Sequence, residues 1–262
     1  MEKWKENTVL ITGAANGVGR ALATALEERG CRLALVDVDE KGLRSLKTRG
    51  SRHIGDLGRA EEVRRIVGEA VEKHGSIHYV FNCAGVSVLG PFEDTPRSDI
   101  QWILDINLAG TMYVCHECIP YLKKAGGGHI VNVASAAALL GMADKAVYSA
   151  SKAGVKAFSE SLRAELHPAG IGVTCAFLGP VRTGMLSRSR VTEETYRQKT
   201  QAYLQSKGMS PEKVAQKILE AVERNRSRAL ISGESKALEA MVRLFPRFLP
   251  WLLQRFPGLT PA

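Results

Sequence analysis

An α/β fold is predicted for this chain: a doubly wound parallel sheet with helices on both faces, three layers in a single domain. Three observations predict it. Short apolar, β-branched runs alternate with amphipathic stretches of helical period from Thr8 to Leu178. A glycine cluster stands between the first such run and the first such stretch. The 262 residues show no composition shift, repeat or low-complexity segment that would divide them. Parallel strands joined by helices bring their carboxyl ends to one edge, where sheets of this kind bind ligands.

The elements follow in order. Thr8-Val-Leu-Ile-Thr12 reads as a strand, Gly13-Ala-Ala-Asn16-Gly17-Val18-Gly19 as a turn, and Val18, Ala21, Leu22, Ala25 and Leu26 as one face of a helix ending at Gly30. Glycines there let the backbone bend sharply and approach a pyrophosphate, whose charge is met by the amides and dipole of the helix start. This is the Rossmann-like arrangement. Arg32-Leu-Ala-Leu-Val36 is the next strand. It ends at Asp37, where a carboxylate accepts hydrogen bonds from ribose hydroxyls and repels a 2′-phosphate. Val38 follows instead of an arginine and Asn16 occupies a place where a cation would greet that phosphate, so NAD is favoured over NADP.

A helix near Glu40–Arg49, a strand near His53–Leu57 and an amphipathic helix through Val63, Ile66, Val67, Ala70 and Val71 come next. The strand His78-Tyr-Val-Phe81 runs into Asn82-Cys-Ala84-Gly85. One long helical region, 98–124, precedes a strand at Ile130–Val133 that delivers Ser135. A helix then carries Tyr148 and Lys152, one turn apart on one face, and stops at Pro168 and Gly170 before a strand at 172–178. A phenol with an ordinary pKa of about 10 is a poor base, and an ammonium within reach lowers it. The pair therefore reads as a proton-exchange device for an alcohol or carbonyl oxygen.

Charge is unevenly placed. The net +9 resides almost entirely after residue 181, where 15 Lys and Arg face 7 Asp and Glu. That third lacks the interleaved aromatics of a nucleic-acid module, which directs attention to an anionic substrate or membrane surface and away from nucleic acid. The charged start has no signal core, and no apolar run approaches the roughly 18 residues of a membrane span, so a cytoplasmic protein is expected. Cys115-His-Glu-Cys118 invites a metal or redox reading. No second ligand pair lies at zinc spacing, and two cysteines at i and i+3 pack well in an apolar helix, so no metal site is expected.

Taken together, Thr12-Gly-x-x-x-Gly17-x-Gly19, Asp56-Leu57, Asn82-x-Ala84-Gly85, Asn107, Ser135, Tyr148-x-x-x-Lys152 and Gly179-Pro180-Val181-x-Thr183 resemble the one-domain branch of the short-chain dehydrogenase/reductase family, over residues 8–185. The resemblance implies a pyrophosphate turn shaped by Gly13, Gly17 and Gly19, with Thr12, Asn16 and Val18 in the same cofactor-binding segment. It places Asp56 and Leu57 near the adenine, Asn82, Ala84 and Gly85 along the nicotinamide side, and Pro180, Val181 and Thr183 near the carboxamide. Ser135 is implied to hydrogen-bond the reacting oxygen and Tyr148 to pass its proton. Lys152 is implied to lower the phenol's pKa and hold the nicotinamide ribose, and Asn107 to place a water. A homotetramer, with the long helices 98–124 and 148–167 as contact, is implied as well. Those helices carry Trp102, Ile103, Met112, Tyr113 and Phe158 on more than one face. Leu178 and Ala136 depart from the family's usual Pro and Ser, which bears on substrate preference and not on the catalytic groups.

The pocket is expected to be lined by Val86, Val88 and Leu89, by the segment from Ala136 through Leu139 and Leu140 to Met142, and by Met185 and Leu186. All are apolar, which points to an apolar secondary alcohol or ketone. The leading reading is an NAD-dependent oxidoreductase on CH–OH groups. An NADP-dependent ketone reductase, an epimerase or dehydratase and a non-catalytic NAD(H) sensor are the competitors. Retention of Ser135, Tyr148 and Lys152 weighs against the sensor. The chain is divided as 1–240, the catalytic domain, and 241–262, an amphipathic tail. In the tail Met241, Phe245, Phe248, Leu252 and Phe256 share a face opposite Arg243 and Arg247. Pro246 and Pro250 require two short helical pieces with a bend. That face either packs on protein or lies in a membrane interface.

Overall fold

The computed structural model describes residues 4–255. Its main sheet has seven parallel strands, β1 (Thr8–Thr12), β2 (Arg32–Asp37), β3 (Ser51–Ile54), β4 (Tyr79–Asn82), β6 (Gly128–Ser135), β7 (Ile171–Leu178) and β9 (Arg228–Leu230), in the order β3-β2-β1-β4-β6-β7-β9. Two short strands, β5 (Val88–Leu89) and β8 (Arg190–Val191), pair in parallel as a separate ribbon. Alternation along the strands builds two apolar layers, as the pleat requires. Val9 and Ile11 of β1, with Leu33 and Leu35 of β2, face α1 (Gly17–Glu27) and α8 (Pro211–Glu223). Leu10, Ala34 and Val36 face the other way, toward α3 (Ala60–His74), α5 (Gly110–Lys124) and α6 (Ala146–Leu166).

The chain leaves β1 toward β2 and β3, then returns to place β4 on β1's opposite side. That reversal opens a crevice at the carboxyl ends of β1 and β4. Helix α2 (Glu40–Arg44) is one turn long, shorter than expected, because Leu43 and Leu46 are the only apolar groups among residues 40–49 and too few to bury a longer helix. The single helix expected over 98–124 is two. α4 (Arg97–Leu104) joins α5 through a π-helical turn at Asp105–Ala109, a form that concentrates at functional sites. After β7 come α7 (Glu194–Lys207), α8 and α9 (Gly233–Leu244), then α10 (Phe248–Arg255). The bend between α9 and α10 falls at Phe245–Arg247 around Pro246, as the prolines require. Pro250 sits in the first turn of α10, where a missing N–H costs nothing. Phe256 lies outside the described residues.

Candidate active site

The crevice is assembled by close backbone approach. Gly13 has φ +66°, and a Cβ there would stand 2.8 Å from the Ala84 amide nitrogen; Gly17 has φ +52°, and its Cβ would stand 2.9 Å from the Thr183 methyl carbon. Both positions must therefore be bare backbone, which leaves a cradle suited to a pyrophosphate at the start of α1. Thr12, 1% exposed, steers this meeting: its hydroxyl accepts from the amides of Cys83 at 3.1 Å and Ala84 at 3.2 Å. Val18 and Gly19 are buried in the first turn of α1. Pro180 and Val181 run beside Met209, the Pro180 carbonyl accepting from the Met209 amide at 2.9 Å, and this tether carries Thr183 to the glycine turn.

Asp37 stands at the end of β2. Its two oxygens accept from the amides of Ala15 at 2.9 Å and Asp39 at 3.0 Å, which ties the glycine turn to the next strand end. Asn16 reaches across to Asp39 at 3.2 Å. Arg188, 150 positions beyond Val38, ion-pairs with Asp39 and stands 3.9 Å from Asp37. A cation thus faces this strand end after all, delivered by the segment after β7. No motif marks it in the sequence. Asp56 is half-buried just beyond β3, one oxygen accepting from Gly58 at 2.9 Å.

Two residues assigned to the cofactor by resemblance have inward side chains. Asn82, 3% exposed, donates to Asn132 at 2.9 Å and to the Cys115 sulfur at 3.3 Å. Leu57, 7% exposed, packs in the apolar layer with Val63 and Ile66. Their side chains hold β4 to β6 and the segment after β3 to the α3 layer.

Ser135, Tyr148 and Lys152 come together at the carboxyl end of β6. Ser135 starts a short 3-10 turn, Ala136–Ala138, by accepting from the Ala137 amide at 3.2 Å. Burial raises the Tyr148 phenol above its ordinary value, and a side-chain hydrogen bond with Ser135 opposes the rise. Burial lowers Lys152 to about 8, while its ammonium donates to the Val133 carbonyl at 3.0 Å. The Lys152 ammonium is drawn to the β6 carbonyl, and Ser135 supplies a contact that stabilises the phenolate.

Lys152 meets the crevice through Gly85, where a Cβ would stand 3.2 Å from Nζ and 3.3 Å from Asn107 Oδ1. Asn107 is fully buried in the π-helical turn. Its amide accepts from the Val86 N–H at 2.8 Å and donates to the Val86 carbonyl and the Ser151 hydroxyl, both at 3.0 Å. These bonds use the side chain as a clamp on the strand end. Ser151 and Asn132 are supports the sequence reading did not name. Ser151 joins Asn107 to the Tyr148 carbonyl, and Asn132 joins Asn82 to Ser159 at 3.0 Å. Each is a small polar residue without a motif of its own.

Around this centre Ala136, Ala138, Leu139, Leu140, Met142, Val86 and Met185 are half-buried. Val88, Leu89, Ala137 and Leu186, expected to line the pocket, are core groups of 2–4% exposure. Cys115 and Cys118 are buried in the α5 layer, and burial pushes the Cys115 thiol up to about 12. Among the described residues no three His, Cys, Asp or Glu side chains are grouped to hold a metal ion.

Bare glycines where a diphosphate is cradled, a carboxylate at the next strand end and a Ser, Tyr and Lys at the third fit a nicotinamide dinucleotide and its reacting partner. The model of the family described as short chain dehydrogenase matches residues 7–194. The chain belongs to the short-chain dehydrogenase family. Its sequence is 29% identical over 277 residues to SadH of Mycobacterium tuberculosis, a protein named as an oxidoreductase, covering 96% of this chain and 99% of that one. A short-chain dehydrogenase/reductase from Burkholderia phymatum, crystallised with NAD, superposes with TM-score 0.86 at 28% identity, covering 100% of this chain and 98% of that one. One from Burkholderia cenocepacia J2315, crystallised with NADP, superposes with TM-score 0.82 at 24% identity, covering 95% and 98%. This short-chain dehydrogenase is therefore an oxidoreductase. Among the described residues, no helix is long and apolar enough to cross a membrane.

Proposed function

We propose that this dehydrogenase interconverts an apolar secondary alcohol and its ketone, with NAD preferred over NADP. The observation that carries the reading is the hydrogen-bonded Ser135–Tyr148 pair with Lys152 one helical turn away, set beside the glycine crevice and edged by apolar side chains. Gly13, Gly17 and Gly19 would hold the diphosphate, Asp37 the adenosine ribose, Lys152 the nicotinamide ribose and Thr183 the carboxamide. When bound, the cofactor supplies the hydride acceptor or donor.

The chain's own groups handle the oxygen and its proton. A substrate oxygen entering between Ser135 and Tyr148 accepts from the serine hydroxyl and exchanges its proton with the phenol. The phenol must be neutral in one direction and ionised in the other. Burial by itself favours the neutral form, and Ser135 narrows the gap. Burial holds Lys152 down to about 8 in this state. A ligand that draws its ammonium away from Val133 would bring it toward the phenol one turn back.

NAD preference rests on Asp37, whose carboxylate is fixed by two amides where a 2′-phosphate would have to sit. Arg188 beside it is the contrary influence. The test is a screen of purified protein against alcohols and ketones of graded apolarity with each cofactor, read at the nicotinamide absorbance. Turnover rising with apolarity, and faster with NAD, is expected. Cofactor binding without turnover of any member would favour a non-catalytic sensor.

A further inference from the structure

We propose that the bend joining α9 and α10 is a docking surface for an anionic membrane interface. The starting point is where large apolar side chains reach solvent. Among the described residues nine do so, and five of them fall between Met241 and Trp251: Met241 at 41%, Leu244 at 72%, Phe245 at 56%, Phe248 at 54% and Trp251 at 55%. Scattered exposed apolar groups are ordinary, but a contiguous cluster marks a surface that meets something else. The rings are already gathered, with Phe245 and Phe248 centroids 6.4 Å apart and Phe248 and Trp251 centroids 5.8 Å apart. The break at Pro246 makes this possible by turning two short helices so that their aromatic groups meet on one side.

Charge selects the occupant. After Glu239 the chain contains no acidic residue, and three arginines, Arg243, Arg247 and Arg255, are interleaved with the apolar groups, all exposed. Glu239 is shared between Arg228 at 2.9 Å and Arg243 at 2.6 Å, leaving the patch cationic. A second copy meeting the same patch would bring arginines toward arginines. An anionic headgroup layer complements them, while its acyl boundary accepts Phe and Leu and its interface suits Trp. Upstream, α9 packs against β9 and the Ala136–Ala138 turn that begins at Ser135. Docking would therefore hold the substrate side of the enzyme near the bilayer. That consequence rests on the apolar substrate proposed above, whereas the docking itself does not.

The test is flotation of the full chain, with no substrate present, on vesicles of phosphatidylcholine alone and of phosphatidylcholine with about a third phosphatidylglycerol. The wild type should float with the anionic vesicles only, and less as salt is raised. Phe248→Ser with Trp251→Ser should reduce the floated fraction at least tenfold, and Arg247→Glu with Arg255→Glu should reduce it severalfold. Unchanged far-ultraviolet circular dichroism and NAD binding would show that the variants are folded. A wild type that stays in the soluble fraction, or a Phe248/Trp251 variant that floats as well as wild type, overturns the proposal. So does absence of flotation with a smaller sedimenting species for that variant, which would make the patch a contact between copies.

Discussion

Lys152 is where function and stability pull apart at the scale of single residues. The residue is 5% exposed, and burial lowers its pKa to about 8 against the roughly 10.4 of an exposed lysine. Between those values the unfolded chain binds the proton that the folded chain has lost, so this residue makes stability rise with pH through that window and costs most below pH 8. Lys152→Met, of similar length and without the charge, should melt no lower than wild type at pH 7, with any advantage shrinking near pH 10. Turnover should fall by about 10² or more. Thermal melts at the two pH values with parallel assays check this, and a variant that melts well below wild type at pH 7 would contradict it. At the adenosine end, Asp37→Asn removes the charge and keeps one acceptor for the glycine turn. The NAD to NADP ratio of kcat/KM should drop by about tenfold or more. An unchanged ratio would mean that Arg188 had already neutralised the carboxylate.

Elements differ in how plainly they were written in the sequence, and the reason is locality. Strand β1, the glycine turn and α1 are contiguous, as are Tyr148 and Lys152 on α6, so period and spacing disclose them. The meeting of Arg188 with Asp37 and Asp39 joins segments about 150 residues apart, and the β5–β8 ribbon is two residues per strand, so neither leaves a periodic signature. Leu57 and Asn82 were matched as motif members, yet a motif records position and not the direction of a side chain. The π-helical turn was hidden too, because inserting a turn of wider pitch barely disturbs the apolar pattern of 98–124. Its consequence is measurable. Asn107→Ala would leave the N–H and C=O of Val86 without their partners in a half-buried setting, a loss of about 1–3 kcal/mol in urea unfolding. A change under about 0.5 kcal/mol would show that the clamp is dispensable.

For the whole molecule, assembly and chemistry are separate questions. Ile103 is fully buried with Val88 and Val147 and belongs to the chain's own packing, while Trp102 is half-buried with the Arg190 guanidinium 3.9 Å above its ring. Exposed Tyr113 and half-buried Met112 of α5 still offer a face, as does half-buried Phe158 of α6, and a homo-oligomer built on those helices, a tetramer by family resemblance, is our proposal. Sedimentation at micromolar concentration should show a species larger than the 28.5 kDa chain, and monomer alone would refute it. The central claim is that the Tyr148 phenol exchanges the proton when hydride moves at the carbinol carbon. It is tested most directly by single-turnover nicotinamide absorbance for wild type and Tyr148→Phe on one active alcohol. The phenylalanine ring preserves the packing and deletes the proton, so the hydride step should slow by about 10²–10⁴ with NAD affinity nearly unchanged. A hydride step at the wild-type rate would contradict the account.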